Sequence, residues 1–278
     1  MGEPLSQKTP LLSLRRENQP TTEVCVGHVR FGGERVVLIG GPCAVETRDQ
    51  IITSARLASA GGAVMLRGGA WKPRTSPYDF QGLGAEGLDL LVAARAETGL
   101  PFVTEVMDPR DVELVAEKAD MLQIGSRSVQ NFPLLKEVGL ARKPVLFKRG
   151  MMTTVHEWLN AAEYILSQGN DQVVFCERGI RTFEPALRNT LDVGSVTVLK
   201  DKTHLPVIVD PSHAAGDARY VTALARAAVA AGADGLLVET HCAPAEALSD
   251  AGQSLSATAF GQLANECRAV ARAIGRDL

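Results

Sequence analysis

Paired cysteines, long apolar runs and an excess of either charge are all missing from this 278-residue sequence. The five cysteines, at positions 25, 43, 176, 242 and 267, are odd in number, widely scattered and form no CxxC pair. That excludes a disulfide framework and predicts a reducing compartment. No stretch approaches about 18 uninterrupted apolar residues, and the start lacks a basic segment followed by an apolar core, so neither a membrane span nor a secretory signal is expected. The 29 basic and 32 acidic residues leave a formal charge of -3, which offers no field for nucleic acid or an anionic membrane. A soluble, cytoplasmic protein is predicted. What remains is ordinary globular material, 45% apolar and 22% charged. One α/β barrel of about 250 residues, or two small domains, would fill the length.

Residues 1–23 are polar and proline-containing without periodicity, which predicts a flexible arm or an oligomer contact. From Val24 the pattern changes, and 24–278 read as one domain. VCVGHVRF, Gly32-Gly33 and ERVVLIGG predict a β-hairpin whose second strand continues into the core. Eight short apolar runs then mark strands at 36–39, 63–66, 102–104, 121–124, 145–147, 173–175, 207–209 and 236–238. Amphipathic segments such as 47–60, 85–98, 109–118, 154–168 and 217–231 separate them, with a last one at 257–274. Strands apolar on both faces, alternating with helices, indicate a parallel sheet covered by helices. Eight units in this length predict a closed (β/α)8 TIM barrel with a short N-terminal hairpin, and no linker divides the middle of the chain.

The residues that follow the runs carry the chemistry. Arg67 and Lys148 come directly after the second and fifth, and Arg127 and Arg178 stand in the polar stretches that follow the fourth and sixth. In a parallel barrel those ends open on one face. A charged residue after a single strand need only start a solvated loop, but four cations around one mouth require a counter-charge, for which a phosphorylated substrate is the natural source. Cys43, His213, Glu239 and Asp250 belong to the same rim; one thiolate, one imidazole and two carboxylates suit a divalent transition metal. Their spacing forms no local motif, and a lone cysteine after a strand is usually buried and inert. It is the barrel that brings the four together. The segment 67–84, RGGAWKPRTSPYDFQGLG, is too rich in Gly, Pro and cations for a helix; its Lys72, Arg74 and Thr75, beside Trp71, Tyr78 and Phe80, read as a functional loop.

GPCAVE, RGGAWKPRTSPYDFQGLG, QIGSRSVQNF, KRG, CERGIRTFE, DPSHAAG and ALSD follow one another in the order found in the type I beta 3-deoxy-D-arabino-heptulosonate-7-phosphate (DAHP) synthases, which the chain resembles over roughly residues 24 to 275. The related 3-deoxy-octulosonate-8-phosphate synthases share the barrel but typically carry KANRS where this chain has Lys72-Pro73-Arg74-Thr75-Ser76. The resemblance implies a transferase of the shikimate pathway, at the first step of aromatic amino acid biosynthesis, that condenses phosphoenolpyruvate with erythrose 4-phosphate. It implies Cys43, His213, Glu239 and Asp250 as ligands of a divalent metal, Mn²⁺ first, with Fe²⁺, Co²⁺ and Zn²⁺ as alternatives. Arg67, Lys72, Ser126, Arg127, Lys148, Arg178 and His213 would bind phosphoenolpyruvate; Lys72, Pro73, Arg74, Thr75 and Asp250 would bind erythrose 4-phosphate. Lys72 would act as acid catalyst, with a pKa lowered by surrounding cations, and Glu105 and His213 would handle the proton of the attacking water.

Three places depart from the family text: Ser126-Arg127-Ser128-Val129, Met151-Met152 and Thr240-His241-Cys242. They leave open a paralogue that uses another phosphorylated aldehyde, such as arabinose 5-phosphate. A catalytically silent barrel, kept as a binding or regulatory partner, is a second alternative, opposed by the filled catalytic positions. Cys242 is expected to pack rather than to ligate. The family's habit implies a homo-oligomer, dimer or tetramer. With no regulatory domain beside the barrel, the isolated chain is expected to be insensitive to aromatic amino acids, regulation coming from a partner enzyme in trans.

Overall fold

The structure, a computed structural model, describes residues 12–278. Val24–Val26 (β1) and Val29–Phe31 (β2) pair antiparallel about Gly27 and His28, with Gly27 at φ +58°. This corrects the expected hairpin. The turn falls at Gly27, where a two-residue loop needs a left-handed backbone; Gly32-Gly33 links the hairpin to the barrel, and the next strand does not pair with it.

That next strand, Val37–Gly41 (β3), begins a closed parallel barrel. Met65–Arg67 (β4), Phe102–Glu105 (β5), Met121–Ile124 (β6), Val145–Lys148 (β7), Val173–Glu177 (β8), Val207–Val209 (β9) and Gly235–Glu239 (β10) follow in order, and β10 pairs back onto β3 from Gly235–Val37 to Glu239–Gly41. Helices clothe the outside: Arg48–Ala60 (α1), Ala85–Thr98 (α2), Val112–Lys118 (α3), Phe132–Leu140 (α4), Val155–Leu166 (α5), Val193–Lys202 (α6), Pro211–Ala215 (α7), Ala218–Ala230 (α8) and Ala257–Ala273 (α9). The predicted (β/α)8 barrel with its hairpin is the observed fold.

Side chains alternate along each strand. Leu38, Leu66, Phe102, Leu122, Phe147, Phe175 and Leu236 point out and join the helices in one core. Ile39, Met65, Val103, Met121, Leu146, Cys176, Ile208 and Leu237 point in and form another, shared with Val24, Val26, Val29 and Phe31 of the hairpin. The hairpin is thus a plug for the N-terminal end. Two residues further along, the inward set changes character: Met65 gives way to Arg67, Val103 to Glu105, Met121 to Gln123, Leu146 to Lys148, Cys176 to Arg178, Ile208 to Asp210 and Leu237 to Glu239, all buried. The same period that fills the barrel therefore arms its other end.

The start of the described chain is docked rather than loose. Ser13 is fully buried, its Oγ donating to the Leu159 carbonyl (3.2 Å), while Thr203 Oγ1 donates to the Ser13 carbonyl (2.5 Å). The Arg15 amide reaches the carbonyl of Lys202 (2.8 Å). This corrects the expectation of a flexible arm for 12–22, whose backbone groups find partners on the barrel's outer surface; residues 1–11 lie outside the described residues. Among the described residues no helix is long and apolar enough to cross a membrane, and all five cysteines are free.

Candidate active site

Cys43 lies just beyond β3, His213 on α7, Glu239 at the end of β10 and Asp250 in the loop after it. One ligand atom from each falls within 4.8 Å of the others. His213 Nε2 stands 3.5 Å from Glu239 Oε1 and 3.7 Å from Asp250 Oδ2, and Cys43 Sγ is 3.0 Å from Asp250 Oδ2. A thiol, an imidazole and two carboxylates this close fit a divalent transition metal. Asp210 aims the imidazole. It caps α7 by accepting from the His213 amide (2.9 Å), and its other oxygen meets His213 Nδ1 (2.7 Å), which turns Nε2 toward the carboxylates.

Electrostatics divide the four. Burial pushes the Cys43 thiol up to about 12, with Glu239 adding to the effect, so it ligates only by releasing its proton. Burial would also favour neutral acids at Glu239 and Asp250, but His213, with Arg67 at the first and the Cys43 hydrogen bond at the second, holds both below the usual carboxylate range. Burial lowers His213 despite its Asp210 partner, which favours the neutral, ligating imidazole.

Beside this cluster opens a cavity of about 280 Å³ lined by Arg67, Lys72, Arg74, Arg127, Lys148 and Arg178, together with Pro73, Thr75, Glu105, Ser126, His213 and Asp250. Cys43 and Glu239 sit behind it. Twelve of the residues singled out in the sequence line this cavity, and Cys43 and Glu239 join His213 and Asp250 in the cluster beside it. Arg67 donates to Glu239 (2.8 Å) and to the Pro42 carbonyl (2.9 Å), and Lys148 pairs with Asp210. Arg127 reaches Thr75 (3.5 Å), and Arg74 pairs with Asp79 (3.3 Å). Arg178 differs: it is buried, yet its Nε and Nη1 have no partner. An unpaired buried guanidinium marks a place for an anion.

Lys72 corrects an expectation. Its Nζ donates to the Cys43 carbonyl (3.2 Å) and Sγ (2.9 Å). Burial would lower its pKa, but Cys43, Glu239 and Glu105 outweigh both burial and Arg67 and raise it instead. Glu105 accepts from Gln123 Nε2 (3.1 Å). Cys242 stands outside the ligand cluster, its Sγ 3.8 Å from the Gln50 carbonyl oxygen and its amide donating to Ser54 Oγ of α1 (3.1 Å). Gln123, Asp210, Arg181, Arg188 and Gln253 had not been singled out. The inward period of two would have found Gln123 and Asp210; the other three lie on loops and carry no periodic signal.

Fold and site together define a class: a (β/α)8-barrel enzyme with a four-ligand cluster suited to a metal beside a cation-lined cavity for an anionic substrate. Residues 15–274 match the model of the DAHP synthetase I family, and the chain belongs to that family. It is 48% identical over 267 residues to the phospho-2-dehydro-3-deoxyheptonate aldolase of Thermotoga maritima, covering 96% of this chain and 79% of that protein. A crystal structure of the Thermotoga DAHP synthase superposes with a TM-score of 0.93 at 46% identity, covering 98% of this chain and 79% of that one. A 2-dehydro-3-deoxyphosphooctonate aldolase of Acidithiobacillus ferrooxidans is 35% identical over 231 residues, covering 77% of this chain and 81% of the relative.

Proposed function

We propose that this enzyme carries out the DAHP synthase reaction, joining phosphoenolpyruvate to erythrose 4-phosphate with release of phosphate. The observation that carries this reading is the buried, unpaired Arg178 guanidinium, which opens onto the same cavity as the metal-ligand cluster and Lys72. Arg67, Ser126, Arg127, Lys148 and Arg178, with Lys72 and His213, would hold phosphoenolpyruvate through its phosphate and carboxylate. Pro73, Arg74 and Thr75, with Lys72 and Asp250, would hold the aldehyde and its phosphate. The loop reads KPRTS, and identity to the heptulosonate relative, 48%, exceeds that to the octulosonate relative, 35%, so both favour a four-carbon acceptor.

Cys43, His213, Glu239 and Asp250 would hold a divalent ion, Mn²⁺ first, with Fe²⁺, Co²⁺ or Zn²⁺ as substitutes, which supplies Lewis acidity toward a carbonyl oxygen. The methylene carbon of phosphoenolpyruvate bonds to the aldehyde carbon, and Lys72, kept protonated by its raised pKa, gives its proton to the aldehyde oxygen. The second carbon of phosphoenolpyruvate then takes up water, whose proton Glu105 accepts, since His213 has Nε2 turned to the metal cluster and Nδ1 on Asp210. Cleavage of the carbon–oxygen bond to phosphate leaves the keto acid. Homo-oligomer formation, as a dimer or tetramer, regulation by a partner enzyme in trans, and a cytoplasmic location consistent with five free cysteines complete the reading.

Chelator-treated protein supplied with phosphoenolpyruvate, erythrose 4-phosphate and Mn²⁺ is expected to release one phosphate per heptulosonate phosphate formed, with none released before the metal is restored. No turnover with any of the four metals, or a higher kcat/KM for arabinose 5-phosphate, would overturn it.

A further inference from the structure

The two carboxylates of the cluster are each held from behind. Arg188, from the loop between β8 and α6, donates through Nη1 to Asp250 Oδ1 (3.0 Å) and to Gln253 Oε1 (2.9 Å). Gln253, 2% exposed, turns its amide over and donates through Nε2 to Glu239 Oε2 (2.6 Å). One connected chain, Arg188 to Gln253 to Glu239 with a branch to Asp250, therefore occupies one oxygen of each acid. The other oxygens face the cluster: Asp250 Oδ2 lies toward Cys43 and His213, and Glu239 Oε1 lies 3.5 Å from His213 Nε2 while accepting from Arg67.

Two further features fit this arrangement. Asp250 is one of three non-glycine residues with positive φ among the described residues, at φ +52°, a strained conformation that persists only when neighbours impose it. Its side chain is tied on both sides, by Cys43 and by Arg188. In DPSHAAG, Gly216 is also explained: at φ +70° it ends α7, and a Cβ there would come within 2.4 Å of Arg188 Cβ. The glycine leaves room for the arginine stem.

We propose that Arg188 and Gln253 form a positioning brace that presents Glu239 and Asp250 to the metal through one oxygen each. The proposal rests on the metal reading above. With the outer oxygens held by Arg188 and Gln253, the geometry favours binding through the inner oxygen of each carboxylate, and Gln253 links a loop of the cation pocket to the last strand of the barrel. Neither residue ligates or reacts; both act through the acids they hold.

The test is metal affinity rather than rate. Mn²⁺ binding to chelator-stripped wild type, Arg188→Met, Gln253→Leu, the double variant and Cys43→Ala is titrated by the electron paramagnetic resonance signal of free Mn²⁺, alongside thermal melts. Each brace variant is expected to bind about tenfold or more weakly at an unchanged melting temperature. The double variant should be little worse than either single, because the two act in one chain. Brace variants that bind as wild type while Cys43→Ala binds none would overturn the brace and leave the metal reading standing. Wild type that takes up no Mn²⁺ would remove the metal reading and the brace with it.

Discussion

At Gly125 a missing methyl group decides the position of a carboxylate. A Cβ built there would lie 1.9 Å from Glu105 Oε1, so glycine is what allows Glu105 to lie back against Gln123 and face the cavity. Gly125→Ala is expected to displace Glu105 and to lower kcat/KM by about 10²-fold, while Mn²⁺ uptake, which does not involve Glu105, is unchanged. Steady-state kinetics with metal titration check this, and a wild-type rate would dismiss Glu105 from the reaction. Single residues were legible where chemistry and strand ends coincide: Arg67, Lys148 and Glu239 each close an apolar run. Arg188 and Gln253 were not, because their partners lie 62 and 14 residues away in sequence and only the loop geometry joins them. The direction of the Lys72 shift was equally hidden. The cations around it are visible in the text, but the cysteine and carboxylates that outweigh them come from three other strands and loops.

Among the elements, α5 shows how a local signal supports the site from a distance. Thr154 and Glu157 form a reciprocal capping box, the Thr154 hydroxyl accepting from the Glu157 amide (3.2 Å) and the Glu157 carboxylate accepting from the Thr154 amide (2.8 Å). The helix follows the loop of Lys148 and Arg149, and Arg149 Nε donates to the Thr153 carbonyl (2.9 Å). Thr154→Ala is expected to cost about 1 kcal/mol in urea unfolding. The Thr154 amide, then its hydroxyl, holds the Glu157 carboxyl below its usual range. A depressed folded value means the stabilisation is full above the unfolded pKa of about 4.3 and disappears as pH falls through the folded one. The stability gap between wild type and Glu157→Gln should therefore narrow below about pH 4, and a constant gap would contradict it. Strands and most helices were legible through their periods. Helix α6 was less so, since VGSVTVLKDK is crowded with β-branched residues that favour strands. The hairpin was misregistered because two glycine sites compete for its turn.

For the whole molecule, a formal charge of -3 conceals a cavity lined with arginine and lysine, and it equally conceals an apolar fringe around that cavity. Tyr78, Met152 and Phe183 stand 97%, 80% and 98% exposed on the loops after β4, β7 and β8. These are side chains that the proposed homo-oligomer could cover. Sedimentation velocity at micromolar concentration is expected to find a dimer or tetramer; a monomer would refute the oligomer. The barrel itself was legible as eight alternating units, whereas its docked N-terminal segment was not, because 12–22 lack periodicity and take their order from a surface assembled much later in the chain.

The closure of the barrel has a further consequence, in time. Cys43 follows the first barrel strand and Glu239 ends the last, so the metal cluster straddles the seam where β10 meets β3. On a ribosome adding about 5–20 residues per second, Glu239 emerges roughly 10–40 s after Cys43. For most of that interval the nascent chain holds the cysteine alone; His213 comes 26 residues before Glu239, and Asp250 follows 11 residues after it. If these four residues hold the ion as proposed, its full capture would register that synthesis has passed the last strand and that the ring has shut, which a chain stalled before Glu239 could not imitate.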